Sequence, residues 1–69
     1  MANNVYNITE IVGTSPDGVE AAVTNAVTEA SKTVRNLDWF EVQSIRGHLS
    51  EGNVQDWQVT VKIGFRHEG

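Results

Sequence analysis

Trp39, Arg46, Gln58 and Arg66 are the side chains in this sequence whose types and spacing suit a flat ligand with a polar edge. An indole supplies an aromatic platform for stacking. The Gln58 amide offers a donor and an acceptor together, which matches the alternating C=O and N–H edge of a flavin or pyrimidine-like ring. Arg46, Lys62 and Arg66 are candidates for contacts to a phosphate or for ion pairs between subunits. Each has a plainer reading. Tryptophan is enriched in subunit interfaces whatever its other duties, an outward glutamine on a strand is usually just solvated, and the cations can pair with Glu10 or Glu41. A ligand site lying within an interface satisfies both readings of Trp39.

Other chemistry is poorly supported. His48 and His67 are the only imidazoles and there is no cysteine, so a metal site would need both histidines plus carboxylates, and none is expected. The stretch Gly13-Thr14-Ser15-Pro16-Asp17-Gly18 lacks the Walker pattern and the dinucleotide fingerprint. No candidate nucleophile has an evident base beside it, and Glu10, Asp38 and Glu41 fall on different strands or strand ends. A catalytic role is therefore not expected.

The elements that position these residues follow from periodicity. Val5 to Val12 is rich in β-branched residues and reads as a strand, with apolar residues on both faces. Ser15 is placed to accept from the first free helical N–H groups, Pro16 suits the first helical position, and Asp17 complements the helix dipole. Val19, Ala22, Val23, Ala26, Val27, Ala30, Val34 and Leu37 then recur at three- and four-residue spacing. They predict an amphipathic helix of about six turns, roughly 30 Å long. Asp38 to Leu49 reads as a strand with Phe40 and Val42 inward and Trp39, Glu41 and Gln43 outward, reset by a bulge near Gln43 to Ile45. Ser50-Glu51-Gly52-Asn53 is turn chemistry. Val54 to Arg66 alternates cleanly, with Trp57, Val59, Val61, Ile63 and Phe65 toward the core and Gln58, Thr60, Lys62, Gly64 and Arg66 away from it. The simplest assembly is an α+β domain of β-α-β-β order over residues 1–69. Its three-stranded antiparallel sheet, in the order 1-3-2, is wrapped around one long helix and leaves the face of Trp39 and Gln58 uncovered.

Length and charge add constraints. A chain of 69 residues without disulfides buries a marginal core. Self-association is the remaining stabiliser, so the chain is expected to fold only as an oligomer. A net charge of −4 with scattered cations argues against nucleic acid or anionic membrane as partners. No apolar run approaches the ~20 residues of a membrane span. Met1-Ala2-Asn3-Asn4 has neither the basic region nor the apolar core of a signal peptide, so a cytoplasmic address is expected.

Ile11-Val12-Gly13-Thr14-Ser15, the Ala/Val helix, Leu37-Asp38-Trp39-Phe40-Glu41-Val42, Ile45-Arg46-Gly47 and Val61-Lys62-Ile63-Gly64-Phe65-Arg66 together resemble the dodecin family. The motifs occur in order at the right spacing across nearly the whole chain. The resemblance implies a homododecameric hollow shell with cubic 23 symmetry that binds flavin. It implies that Trp39 stacks on the isoalloxazine, with two symmetry-related copies enclosing a pair of flavins, that Gln58 bonds the polar ring edge, and that Arg46 lines the pocket, with Arg66 a further contact. It implies a role in storing or sequestering FMN, with riboflavin or FAD as related ligands and coenzyme A as a second ligand on the shell. Asn7 departs from the pattern, since a basic residue often stands there in the family. The alternatives are an assembly protein that binds no flavin, a flavin or coenzyme A carrier, and a reductase acting on a bound flavin, for which no nicotinamide site is visible.

Overall fold

The computed structural model describes residues 4–67. Met1-Ala2-Asn3, read above for the absence of a signal peptide, lies outside the described residues. The elements run β1 (Tyr6–Ser15), α1 (Val19–Ser31), β2 (Leu37–Ser50) and β3 (Asn53–Arg66). They form one antiparallel sheet in the order β1-β3-β2. β3 is therefore the central strand, and its Val59, Val61 and Ile63 are the largest fully buried side chains. With Ala22, Ala26 and Ala30 of α1 they make up the buried core.

The alanines explain how the helix lies. At Gly13 a side-chain carbon would run into the Ala22 carbonyl and the Ala26 methyl, so helix and β1 approach more closely there than any larger residue allows. The Asn25 amide ties the same two elements together, donating to the Thr14 carbonyl at 2.9 Å. The cross-strand register orients β1, whose direction the alternation alone left open. Thr9, Ile11, Gly13 and Ser15 face α1, while Tyr6, Ile8, Glu10, Val12 and Thr14 face the other way.

The helix is shorter than its sequence pattern, at 13 residues rather than six turns. Its end tightens into three-residue bonds, from Lys32 to Glu29 and from Thr33 to Ala30. Asn36 then takes a positive φ of 65°, which turns the chain into β2. Val34 and Leu37 keep the helical spacing without belonging to the helix, and Leu37 packs against the core from the start of β2. The helix start also differs from expectation. Gly18 is the cap, with no side-chain bond to the helix. The Ser15 hydroxyl instead accepts from the Asp17 amide at 3.0 Å, closing a turn two residues before the helix.

β2 and β3 meet in a two-residue loop whose central residues, Glu51 and Gly52, have φ of 52° and 81°. Positive φ at both positions is the turn pattern whose twist matches a hairpin. Three bulges interrupt the pairing of β2 with β3. One falls between Val42 and Ser44, in the expected region. The others lie between Leu37 and Trp39 and between His48 and Leu49.

The helix packs on β1 and β3 and leaves β2 open on both faces. Phe40, Val42 and Ile45 pair with core residues Ile63, Val61 and Val59, yet all three are exposed. Phe40 borders an open groove of about 400 Å³ against Val23 and Val27 of α1. The chain exposes 5068 Å², against about 4,300 Å² for a compact monomer of this mass. Its radius of gyration is 14.3 Å, against about 11 Å for a compact chain of this length. A single copy is thus an elongated, half-finished core.

Candidate functional site

The face of the sheet away from α1 carries all four candidate residues. Trp39 stands opposite Gly64, Glu41 opposite Lys62, Ser44 opposite Thr60, Arg46 opposite Gln58 and His48 opposite Asp56. From β1, Ile8 flanks Gly64, Glu10 flanks Lys62, Thr14 flanks Gln58, and Tyr6 flanks Arg66. Two of the bulges create this arrangement. Leu37 faces the core, and strict alternation would put Trp39 on that side too; the extra residue Asp38 turns the indole outward. The extra residue Gln43 does the same for Arg46, which would otherwise share the face of Phe40 and Val42.

Trp39 lies directly on Gly64. Any side-chain carbon at position 64 would collide with the six-membered ring of the indole. The missing side chain lets the indole settle against the sheet with 40 % of the residue exposed. One ring face is held by backbone and the rest is open, which is the form of a stacking platform.

At the same end, Tyr6 donates a hydrogen bond to the Asp38 carboxylate. That bond, together with the negative charge of Asp38, raises the phenol above its ordinary pKa of 10.0, and Arg66 partly offsets the effect. Arg66 also lines a recess of about 340 Å³ with Asn7, Arg35 and His67.

At the other end, Gln58 and Arg46 face each other across β3 and β2. The Gln58 amide nitrogen contacts His48, and His48 contacts Asp56. The four candidates therefore share one face but fall into two groups. Trp39 with Arg66 and Gln58 with Arg46 are separated by the six residues from Gln58 to Gly64. At ~3.3 Å per residue that is about 20 Å, farther than one ring stacked on the indole extends. The expectation that Trp39 and Gln58 share a face holds, but they are not neighbours within one chain.

A pocket containing both groups must draw them from different copies, and the open faces of β2 supply surface for such contacts. Comparison with known proteins identifies the family. The family model described as Dodecin matches residues 5–68. The chain belongs to the dodecin family. Dodecins are small multimeric flavin-binding proteins. The dodecin of Thermus thermophilus is 52 % identical over 64 residues, 93 % of each chain. The solved dodecin of Streptomyces coelicolor is 59 % identical and superposes with a TM-score of 0.94, covering 100 % of this chain and 99 % of that one. The dodecin from Streptomyces davaonensis is 51 % identical with a TM-score of 0.93, covering 99 % and 100 %. The β-α-β-β order and 1-3-2 sheet are those of the dodecin fold.

Two clusters on the dodecin face escaped sequence reasoning. Asp38 reaches Tyr6 because it is a bulge residue, and no local signal marks that bulge. His48 meets Asp56 because Gln55 is extra on β3; counting back from the Ser50–Asn53 turn would pair His48 with Gln55. Among the described residues, no three His, Asp or Glu side chains converge as a metal site, and no helix is long and apolar enough to cross a membrane.

Proposed function

We propose that this chain stores and sequesters flavin, with FMN as the principal ligand and riboflavin and FAD as related ones, and that it performs no turnover. The observation that carries the reading is the open indole of Trp39 seated on Gly64, on a sheet face the chain leaves bare. The isoalloxazine stacks on Trp39 of one copy, and a second Trp39 related by symmetry closes the pocket. Gln58 of a neighbouring copy reads the polar ring edge, and Arg46 beside it adds positive potential. Arg66, with Arg35 and His67, takes the phosphate of FMN or of coenzyme A bound as a second ligand. The assembly is a homododecamer of 23 symmetry, and its address is cytoplasmic. The indole in contact with the excited flavin quenches its fluorescence and photochemistry, a protective effect that needs no catalysis.

Fluorescence titration of FMN with the purified oligomer tests this. Quenching that saturates near one flavin per subunit in the parent, and a marked loss of affinity in Trp39→Ala with the oligomer retained, is the expected result. Undiminished emission would leave Trp39 as interface packing alone. That competing reading draws on the exposed Phe40, Val42, Ile45 and Leu49, which suit an assembly surface.

A further inference from the structure

Ile8, Gly64 and Trp39 stand in one row across the sheet, because Gly64 is the register partner of both its neighbours. The indole lies over Gly64, so it covers β3 on the way from β2 toward β1. Ile8 is the next side chain in that row, about one strand spacing, ~4.8 Å, beyond the strand the ring covers. It is 57 % exposed. The rows on either side are polar. Tyr6, hydrogen-bonded to Asp38, lies with Arg66 on one side, and Glu10, Lys62 and Glu41 lie on the other. An apolar lane thus crosses the sheet from Trp39 to Ile8 between two polar rows.

We propose that Ile8 is a specificity-determining residue of the flavin site, an apolar shelf that carries the dimethylbenzene end of a ring stacked on Trp39. The inference rests on the flavin reading and names the end of the ligand that this chain recognises. Isoalloxazine is tricyclic and indole bicyclic, so a flavin stacked on Trp39 overhangs it. The two ends of the flavin ring differ. One is a pyrimidine bearing C=O and N–H groups, and the other is a benzene ring bearing methyl groups. With the pyrimidine edge held by Gln58 of a neighbouring copy, the benzenoid end is the one that overhangs. Laid along the strands, that end would cover the charges of Arg66 or of Glu10, Lys62 and Glu41, and an apolar group offers them no partner in place of water. Laid across the sheet, it meets Ile8, and apolar surface is removed from water on both partners.

The test is quenching titration of the intact oligomer with riboflavin and with its analogue lacking the 7- and 8-methyl groups. The parent should prefer riboflavin roughly tenfold, the worth of burying two methyl groups, and this arm needs no variant. Ile8→Ala should cut the preference to roughly threefold or less, and Ile8→Val, the milder truncation, should fall between. Ile8 is exposed in the single chain, so both variants should fold, and light scattering checks that they assemble. Val12→Ala is the control. Val12 is an exposed apolar residue on the same face of β1, but it stands beside Thr60, two rows from the indole, and its loss should leave the preference unchanged. Equal affinity of the parent for the two flavins, a preference that survives in Ile8→Ala, or one that falls equally in Val12→Ala would overturn the assignment. Absence of binding of either flavin by the parent would instead refute the flavin reading beneath it, and the inference with it.

Discussion

Gly64→Ala probes the platform without touching the indole. The new methyl would occupy the space now held by the six-membered ring of Trp39, so the ring must lift from the sheet. Gly64 has no positive φ, so the backbone accepts alanine, and the sheet should survive. What is lost is the orientation of the stacking surface. An aromatic pair contributes about 0.5–1.5 kcal/mol beyond area burial. A pocket built from two copies encloses two flavins, one to each indole, so each flavin loses about 0.5–1.5 kcal/mol. That corresponds to binding weaker by about 2- to 13-fold. The assay is FMN fluorescence titration, with light scattering to confirm that the variant keeps the oligomeric state of the parent. Trp39→Ala should match or exceed the loss. Parent-like affinity and quenching in Gly64→Ala would refute the account of the indole as a sheet-supported platform, because that account ties its position to the missing side chain.

Gly13→Val should destabilise the fold by about 1–3 kcal/mol, the usual cost of overpacking, since its side chain would meet the Ala22 carbonyl and Ala26 methyl; urea denaturation measures it. Phe40→Asp places a charge beside the open groove of α1 and should yield monomer or aggregate in light scattering, whereas Glu29→Lys on the exposed helix face should not. Tyr6 is the single tyrosine, so its phenolate absorbance should titrate above pH 10, and Asp38→Asn should bring the midpoint down. Because the folded pKa is raised, the stabilising Tyr6–Asp38 bond is fully present below the ordinary phenol value and is lost as pH rises through the folded one. Tyr6→Phe should correspondingly flatten that part of the alkaline stability profile.

The central strand was legible because its partners are simple. From Gln58 to Arg66 the polar and apolar residues alternate without interruption, and register transmits that order to β1 and β2. The bulge at Gln43 announced itself, since Phe40 and Val42 fall out of phase with Ile45. The bulge at Asp38 gave no such sign, because a single inward Leu37 precedes it. Helix length misled for a related reason. Val34 and Leu37 keep helical spacing while burying their side chains from a turn and a strand, and periodicity reports burial rather than backbone. A shared face says nothing about distance along a strand, so the separation of Trp39 from Gln58 follows only from the register.

That distance has a thermodynamic consequence. If the indole and the amide that serve one ring come from different copies, no isolated chain holds a complete pocket. Ligand and self-association are then linked quantities. Every bound flavin favours the closed assembly by mass action, and dilution that dissociates the assembly also releases its cargo. Apparent affinity should therefore rise with protein concentration until assembly is complete. The occupancy of such a store reports the abundance of the protein as well as that of the flavin.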